Sequence, residues 1–202
     1  IVESIGHDMN DIIRVSIFLA DIMDLNAVEK VQASFFPTYQ PARTVAAVDA
    51  LPQGALVFIE ALVDNGEGTQ SVPQAGDLVK LTNNTHAAPY DAGSTQTVAF
   101  SHYNNLSAQL PIDPATGAMP EDVSAQTKQS LTNGKAIIEA AGGSMADVVK
   151  TTVFLAAMND FAAVNAVYAE FFPEGACPAR SAVQVARLPK DAKVEIELIA
   201  NV

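Results

Sequence analysis

Apolar positions along the C-terminal part of the chain change period several times, and each change marks an element. Over residues 121–141, Val123, Thr127, Leu131 and Ile138 recur at helical spacing, with acidic residues in the first turn and Gly142-Gly143 as a stop. Asn133-Gly134 inside this run is a hairpin dipeptide by type, but helix formers flank it and the helix is expected to continue. Residues 148–156 are rich in β-branched side chains and read as a strand. A second helix is expected over 160–172, capped by Asn159 or Asp160 and ended by Pro173. Residues 180–187 and 193–200 alternate as half-buried strands. In the last, Val194, Ile196 and Leu198 face one side while Lys193, Glu195 and Glu197 face the other. Upstream, residues 78–81, 97–101 and 105–109 are short strand candidates and 113–117 a turn. The order βββαβαββ predicts an α+β domain, two helices on one face of a mixed sheet.

The pattern occurs twice. Residues 138–173 align without gaps on residues 2–37, with 15 identities in 36 positions. Phe154-Leu155-Ala156 answers to Phe18-Leu19-Ala20, and Phe171-Phe172-Pro173 to Phe35-Phe36-Pro37. One residue further out of step, Pro178-Ala179-Arg180 answers to Pro41-Ala42-Arg43. The chain thus divides into residues 1–63, the C-terminal half of a first repeat; residues 64–77, a linker rich in Gly, Gln, Ser and Pro; and residues 78–202, a complete second repeat. Some 59 residues that would open the first repeat are expected ahead of Ile1, by comparison of the two copies.

Composition narrows the function. The 202 residues carry a net charge of −12 with scattered basic positions, which argues against nucleic acid as the partner. No apolar run approaches the roughly 20 residues of a membrane span, and the cytoplasm is the expected address. A single cysteine, Cys177, permits no internal disulfide, and His7, His86 and His102 have no metal-ligand spacing.

Candidate chemistry is sparse. Arg180 alternates away from Val183 and Val185, where a guanidinium can grip a carboxylate through two parallel hydrogen bonds; a surface arginine or an ion pair is the plainer reading. Glu195 lies on the non-apolar side of its strand, where most glutamates are merely solvated. Ser107, with the Ala108 N–H, follows a strand end and suits an anionic oxygen. Tyr90 and Asn165 are further lining candidates, and each is as common in an ordinary loop or helix surface.

Together, Ala88-Pro89-Tyr90, Ser107-Ala108-Gln109-Leu110-Pro111, Asp113-Pro114-Ala115-Thr116-Gly117, Asn165-Ala166, Pro178-Ala179-Arg180-Ser181 and the tail from Val185 through Glu197 resemble the Rid (YjgF) family. The resemblance covers the whole second repeat. It implies a chorismate-mutase-like α+β fold and a homo-oligomer, trimer or pseudo-trimer, with clefts between neighbouring units. It also implies hydrolysis of 2-imino or 2-enamino acids, such as 2-aminoacrylate, to 2-oxo acids and ammonia without metal or organic cofactor. On it, Arg180 holds the carboxylate and Glu195 orients water. Ser107 and Ala108 assist anchoring, and Tyr90 and Asn165 line the cleft.

The chain departs from the family pattern in three ways. Ser-Gly-Gln is Ser-Ala-Gln here, at Ser107 to Gln109, and Ala182 stands where a cysteine is frequent. The stretch from Tyr90 to Ser107 is about four residues longer than usual, a difference expected around Ser101-His102-Tyr103. In the first repeat Arg43 survives, but Phe58 replaces the glutamate and Glu29 the asparagine, so that repeat reads as structural or diverged. Two other functions compete with deamination: a 2-oxo acid binding or regulatory module, and a single-strand endoribonuclease.

Overall fold

The computed structural model describes residues 1–63, 81–100, 102–172, 175 and 177–202. The 64–77 linker, most of the 78–81 strand candidate and the Pro173 stop lie outside the described residues.

The first unit contains β1 (Ile12–Leu19), α1 (Leu25–Phe35), β2 (Ala42–Ala47) and β3 (Val57–Val63), in the sheet order β2-β1-β3. The second contains β4 (Leu81–Asn83), β5 (Thr97–Phe100), β6 (Tyr103–Leu106), α2 (Val123–Ala140), β7 (Val148–Leu155), α3 (Phe161–Phe171), β8 (Ala179–Gln184) and β9 (Val194–Ala200), ordered β4-β5-β6-β9-β7-β8. The repeat read from sequence is a repeat of structure. β7, α3, β8 and β9 match β1, α1, β2 and β3 residue for residue in length. Even the irregularities recur: a register shift at Ile12/Arg14 answers to one at Val148/Lys150, and Gln53 and Lys190 share a left-handed φ of 57°.

Helix α2 runs through Asn133-Gly134 for a visible reason. Asn133 Nδ2 donates to the carbonyls of Leu110 and Ile112 at 3.1 and 2.9 Å, so its side chain is satisfied outside the helix. Gly134 lets the helix press on β9, since a Cβ there would lie 2.7 Å from Leu198 Cδ1. Asp122 caps the helix by accepting the Ala125 N–H, and Gly142, at φ +97°, follows its end. For α3 the expected side-chain cap is absent. A 3-10 turn over Met158–Asp160 leads into it, and Asp160 makes no capping bond.

The helices α2 and α3 cover one face of the larger sheet, packing Leu131, Ile137, Ile138, Val164 and Tyr168 on Val153, Val194, Ile196 and Leu198. Helix α1 covers the smaller sheet in the same way. The remaining faces of the two sheets meet. Phe18 and Ala46 pack with Phe154, Val185, Leu188 and Ala192, and Ile13 and Ala42 with Val98. Strand β9 is therefore buried on both faces, where alternation had predicted one wet side. By contrast β3, the counterpart of β9, exposes Phe58, Ile59 and Leu62.

The close approach at Gly134 is testable. Valine has the better helix propensity by a few tenths of a kcal/mol, yet Gly134→Val should cost about 1–3 kcal/mol by overpacking Leu198. Urea unfolding should show a lower midpoint; an unchanged or higher one would mean that α2 can lift off β9 freely.

Candidate active site between the two units

Strand β9 sends Glu195 and Glu197 into the buried interface between the sheets. Glu197 is well served there. It accepts from Thr44 Oγ1 at 2.8 Å and Thr152 Oγ1 at 3.3 Å, and pairs with Arg14 Nη1 at 3.0 Å. Glu195 is not. It is 3% exposed, and its Oε2 finds no hydrogen-bond partner among the described residues. Burial first, and then the Glu197 carboxylate, push its pKa up to about 8 against the opposing pull of Arg43. A buried acid left unsatisfied at the wall of a cleft is a mark of chemistry rather than of stability.

The cation facing it comes from the first unit. Strand β2 is docked on the second unit by its backbone. Ser107 Oγ donates to Thr95 O at 2.6 Å and accepts the Arg43 N–H at 2.8 Å, while the Ala108 N–H donates to Arg43 O at 2.9 Å. Further along, Ala47 N donates to Arg187 O and Ala186 N to Ala47 O, at 2.8 and 2.9 Å. Ser107 and Ala108, expected to hold a ligand oxygen, instead seat the Arg43 backbone. The Arg43 side chain is buried as well. Nη2 donates to Glu29 Oε1 at 2.9 Å and to the Asp91 carboxylate, and Nη1 to Gln32 Oε1 at 3.3 Å.

These groups wall a cleft of about 550 Å³, ordinary for a small-molecule site, with Arg187, Lys190 and Asp191 at its other end. Four of the six expected site residues line it: Tyr90, Ser107, Ala108 and Glu195. Arg180 and Asn165 do not. Arg180 points away from Val183 and Val185 as its alternation requires, but Glu195 is on the valine side. Phe154 pairs with both Val183 and Glu195 across the sheet. On the opposite face the Arg180 guanidinium stacks 4.5 Å from the Tyr168 ring and 5.5 Å from Phe161. Asn165 is exposed on α3. The arginine that lines this cleft beside Glu195 is Arg43, from the first repeat, which the sequence reads as structural or diverged.

Gln32 and Asp91 escaped the sequence reading altogether, and Glu29 entered it only as the residue in the asparagine's place. The duplicated Pro-Ala-Arg was the signal that marked Arg43. Among the described residues no cluster of His, Cys, Asp and Glu suits a metal ion, and no helix is long and apolar enough to cross a membrane.

A family profile described as Endoribonuclease L-PSP matches residues 1–64 and 85–202. The chain belongs to this family, that of the Rid proteins. It is 64% identical over 96 residues to a 2-iminobutanoate/2-iminopropanoate deaminase of Salmonella typhimurium, covering 46% of this chain and 75% of that protein. A protein of the same name from Escherichia coli is 54% identical over 123 residues, covering 59% and 93%. The crystal structure of the Escherichia coli YjgF gene product superposes with a TM-score of 0.58 at 52% identity, over 60% of this chain and 98% of that one. Escherichia coli TdcF, crystallised with bound serine, gives 0.57 at 48% identity, over 59% and 96%. The fold of this Rid protein is accordingly the Rid fold.

The raised pKa of Glu195 has a stability consequence. The folded state holds a proton on this group that the unfolded chain has released between pH of about 4.5 and 8. Its contribution is therefore full below the unfolded value and is lost as pH rises through about 8. Glu195→Gln, neutral throughout, should gain on the wild type by a few kcal/mol as pH is raised across that window. Thermal melts of both proteins across that range check it. A constant gap between the two melting curves would mean that Glu195 is not held neutral by its surroundings.

Proposed function

We propose that the chain is a hydrolytic deaminase of 2-imino and 2-enamino acids, releasing 2-oxo acids and ammonia from the cleft between its units. The observation that carries this reading is Glu195, a buried acid whose Oε2 has no hydrogen-bond partner among the described residues, lining with Arg43 a cleft open to water. The deaminase relatives support it, and serine in TdcF shows an amino acid carboxylate and amine as a ligand of one relative.

The chemistry needs little beyond position and a proton carrier. Arg43 faces the substrate carboxylate, and Glu195, neutral below about pH 8, gives its proton to the imine nitrogen. Water then adds to C2, and the Glu195 carboxylate takes the proton that water loses. In the resulting carbinolamine the C–N bond breaks. The nitrogen leaves as ammonia with a proton returned by Glu195, and the hydroxyl proton restores the acid. An enamine takes its proton at C3 instead, which gives the same iminium. Neither metal nor organic cofactor enters these steps. Tyr90, 70% exposed, stands at the mouth.

Arg180 has the place on β8 that Arg43 has on β2, and β8 is largely exposed where β2 is buried. We read Arg180, with Asn165 beside it on α3, as the arginine of a second cleft completed by another unit of a homo-oligomer, a trimer or pseudo-trimer. A ribonuclease reading fits less well, because Glu29, Asp91 and Glu195 would face a phosphate backbone in the cleft.

Imines generated enzymatically from several amino acids provide the assay. Glu195→Gln should lower kcat by about a hundredfold or more while 2-oxo acids still bind. Wild-type kcat should fall above about pH 8 as Glu195 loses its proton. Arg43→Lys keeps the charge but loses the fork and should cut turnover severely. Full activity in Arg43→Lys beside lost activity in Arg180→Lys would move the working site to the second cleft.

A further inference from the structure

The guanidinium of Arg43 already carries a carboxylate where a ligand carboxylate belongs. Asp91 reaches it from the segment after Tyr90, and this contact is built rather than incidental. Asp91 Oδ1 accepts the Gly93 N–H at 2.9 Å, which curls the loop. Gly93 O in turn accepts from Gln32 Nε2 at 2.8 Å, tying the loop to α1. Gly93 lies close against the guanidinium, and a Cβ there would be 2.8 Å from Arg43 Nη1.

The chain contains its own comparison. At Arg180 the counterparts of Glu29 and Gln32 are Asn165 and Tyr168, so an aromatic ring faces that guanidinium where Arg43 meets a carboxylate and an amide. Glu29 is a third exposed and Asp91 about half exposed, whereas Arg43 is buried. Of the two acids bound to Arg43, Asp91 is the one with water to move into.

We propose that Asp91 is a carboxylate latch on Arg43, an internal ligand that an incoming 2-imino or 2-oxo acid must displace before it is gripped. The inference rests on the reading of Arg43 as the carboxylate anchor. The latch weakens the cleft for every simple carboxylate equally. It sets a threshold that only ligands with further contacts in the cleft, near Glu195 and Tyr90, will cross.

The test is calorimetric titration of the full chain with 2-oxobutanoate. Asp91→Asn keeps the size and the Gly93 contact but removes the competing charge, and should lower Kd by about tenfold. Asp91→Ala should do the same, and either gain should vanish when Arg43→Lys is added. Equal or weaker binding in both Asp91 variants would overturn the latch, as would a gain that survives loss of the Arg43 fork. Imine turnover by the same proteins separates the two readings. Turnover with no change in affinity would sink the latch and leave the deaminase reading intact. Tighter oxo acid binding with no turnover by any of the proteins would do the reverse.

Discussion

Strand β2 of the first unit lies along the second unit by its main chain, and the rest of the functional architecture depends on that docking. The Arg43 N–H and C=O are taken by Ser107 Oγ and the Ala108 N–H, and Ala47 exchanges bonds with Ala186 and Arg187. Backbone bonds fix position more tightly than flexible side chains do, because both partners are already ordered by their own sheets. With β2 held there, the polar side of β9 is buried, and Arg43 and Glu195 line one cleft.

Two carboxylates two residues apart on one strand then acquire opposite characters from their neighbours. Glu197 meets Arg14, Thr44 and Thr152 and is held as an ion-pair partner, whereas Glu195 meets a cleft wall and the charge of Glu197 itself. Burying a charge without partners is costly, so Glu195 keeps its proton. Arg14 and Thr44 belong to the first unit. The same contact that stabilises the interface therefore fixes which carboxyl is paired and which is left protonated at the cleft wall.

The two arginines of the duplicated Pro-Ala-Arg show how one motif is set to two conditions. Arg180 rests on rings at an open strand, while Arg43 is buried among Glu29, Gln32 and Asp91. Their strands pair with their neighbours in the same register, Val15 with Arg43 and Thr151 with Arg180. The difference arises from side chains around them and from what lies across the sheet.

By itself the sequence determined the elements, the duplication and four of the residues that line the cleft. Those follow from local rules: the helical recurrence from Val123 to Ile138, the alternation in β9, and a self-comparison that needs no coordinates. Which arginine meets Glu195 was decided only by tertiary structure. Alternation sorts a strand's residues into two faces but does not say which face of one strand is continuous with which face of the next. Val183 and Val185 are as apolar as Val194, Ile196 and Leu198, and nothing in the two patterns says whether the sets share a side. They lie on opposite sides, because the sheet is buried on both: helices cover one face and the first unit the other. An apolar pattern marks burial, not what does the burying. That is why the two patterns could not place Arg180 and Glu195 on opposite faces, with Arg43 in the cleft that Glu195 lines.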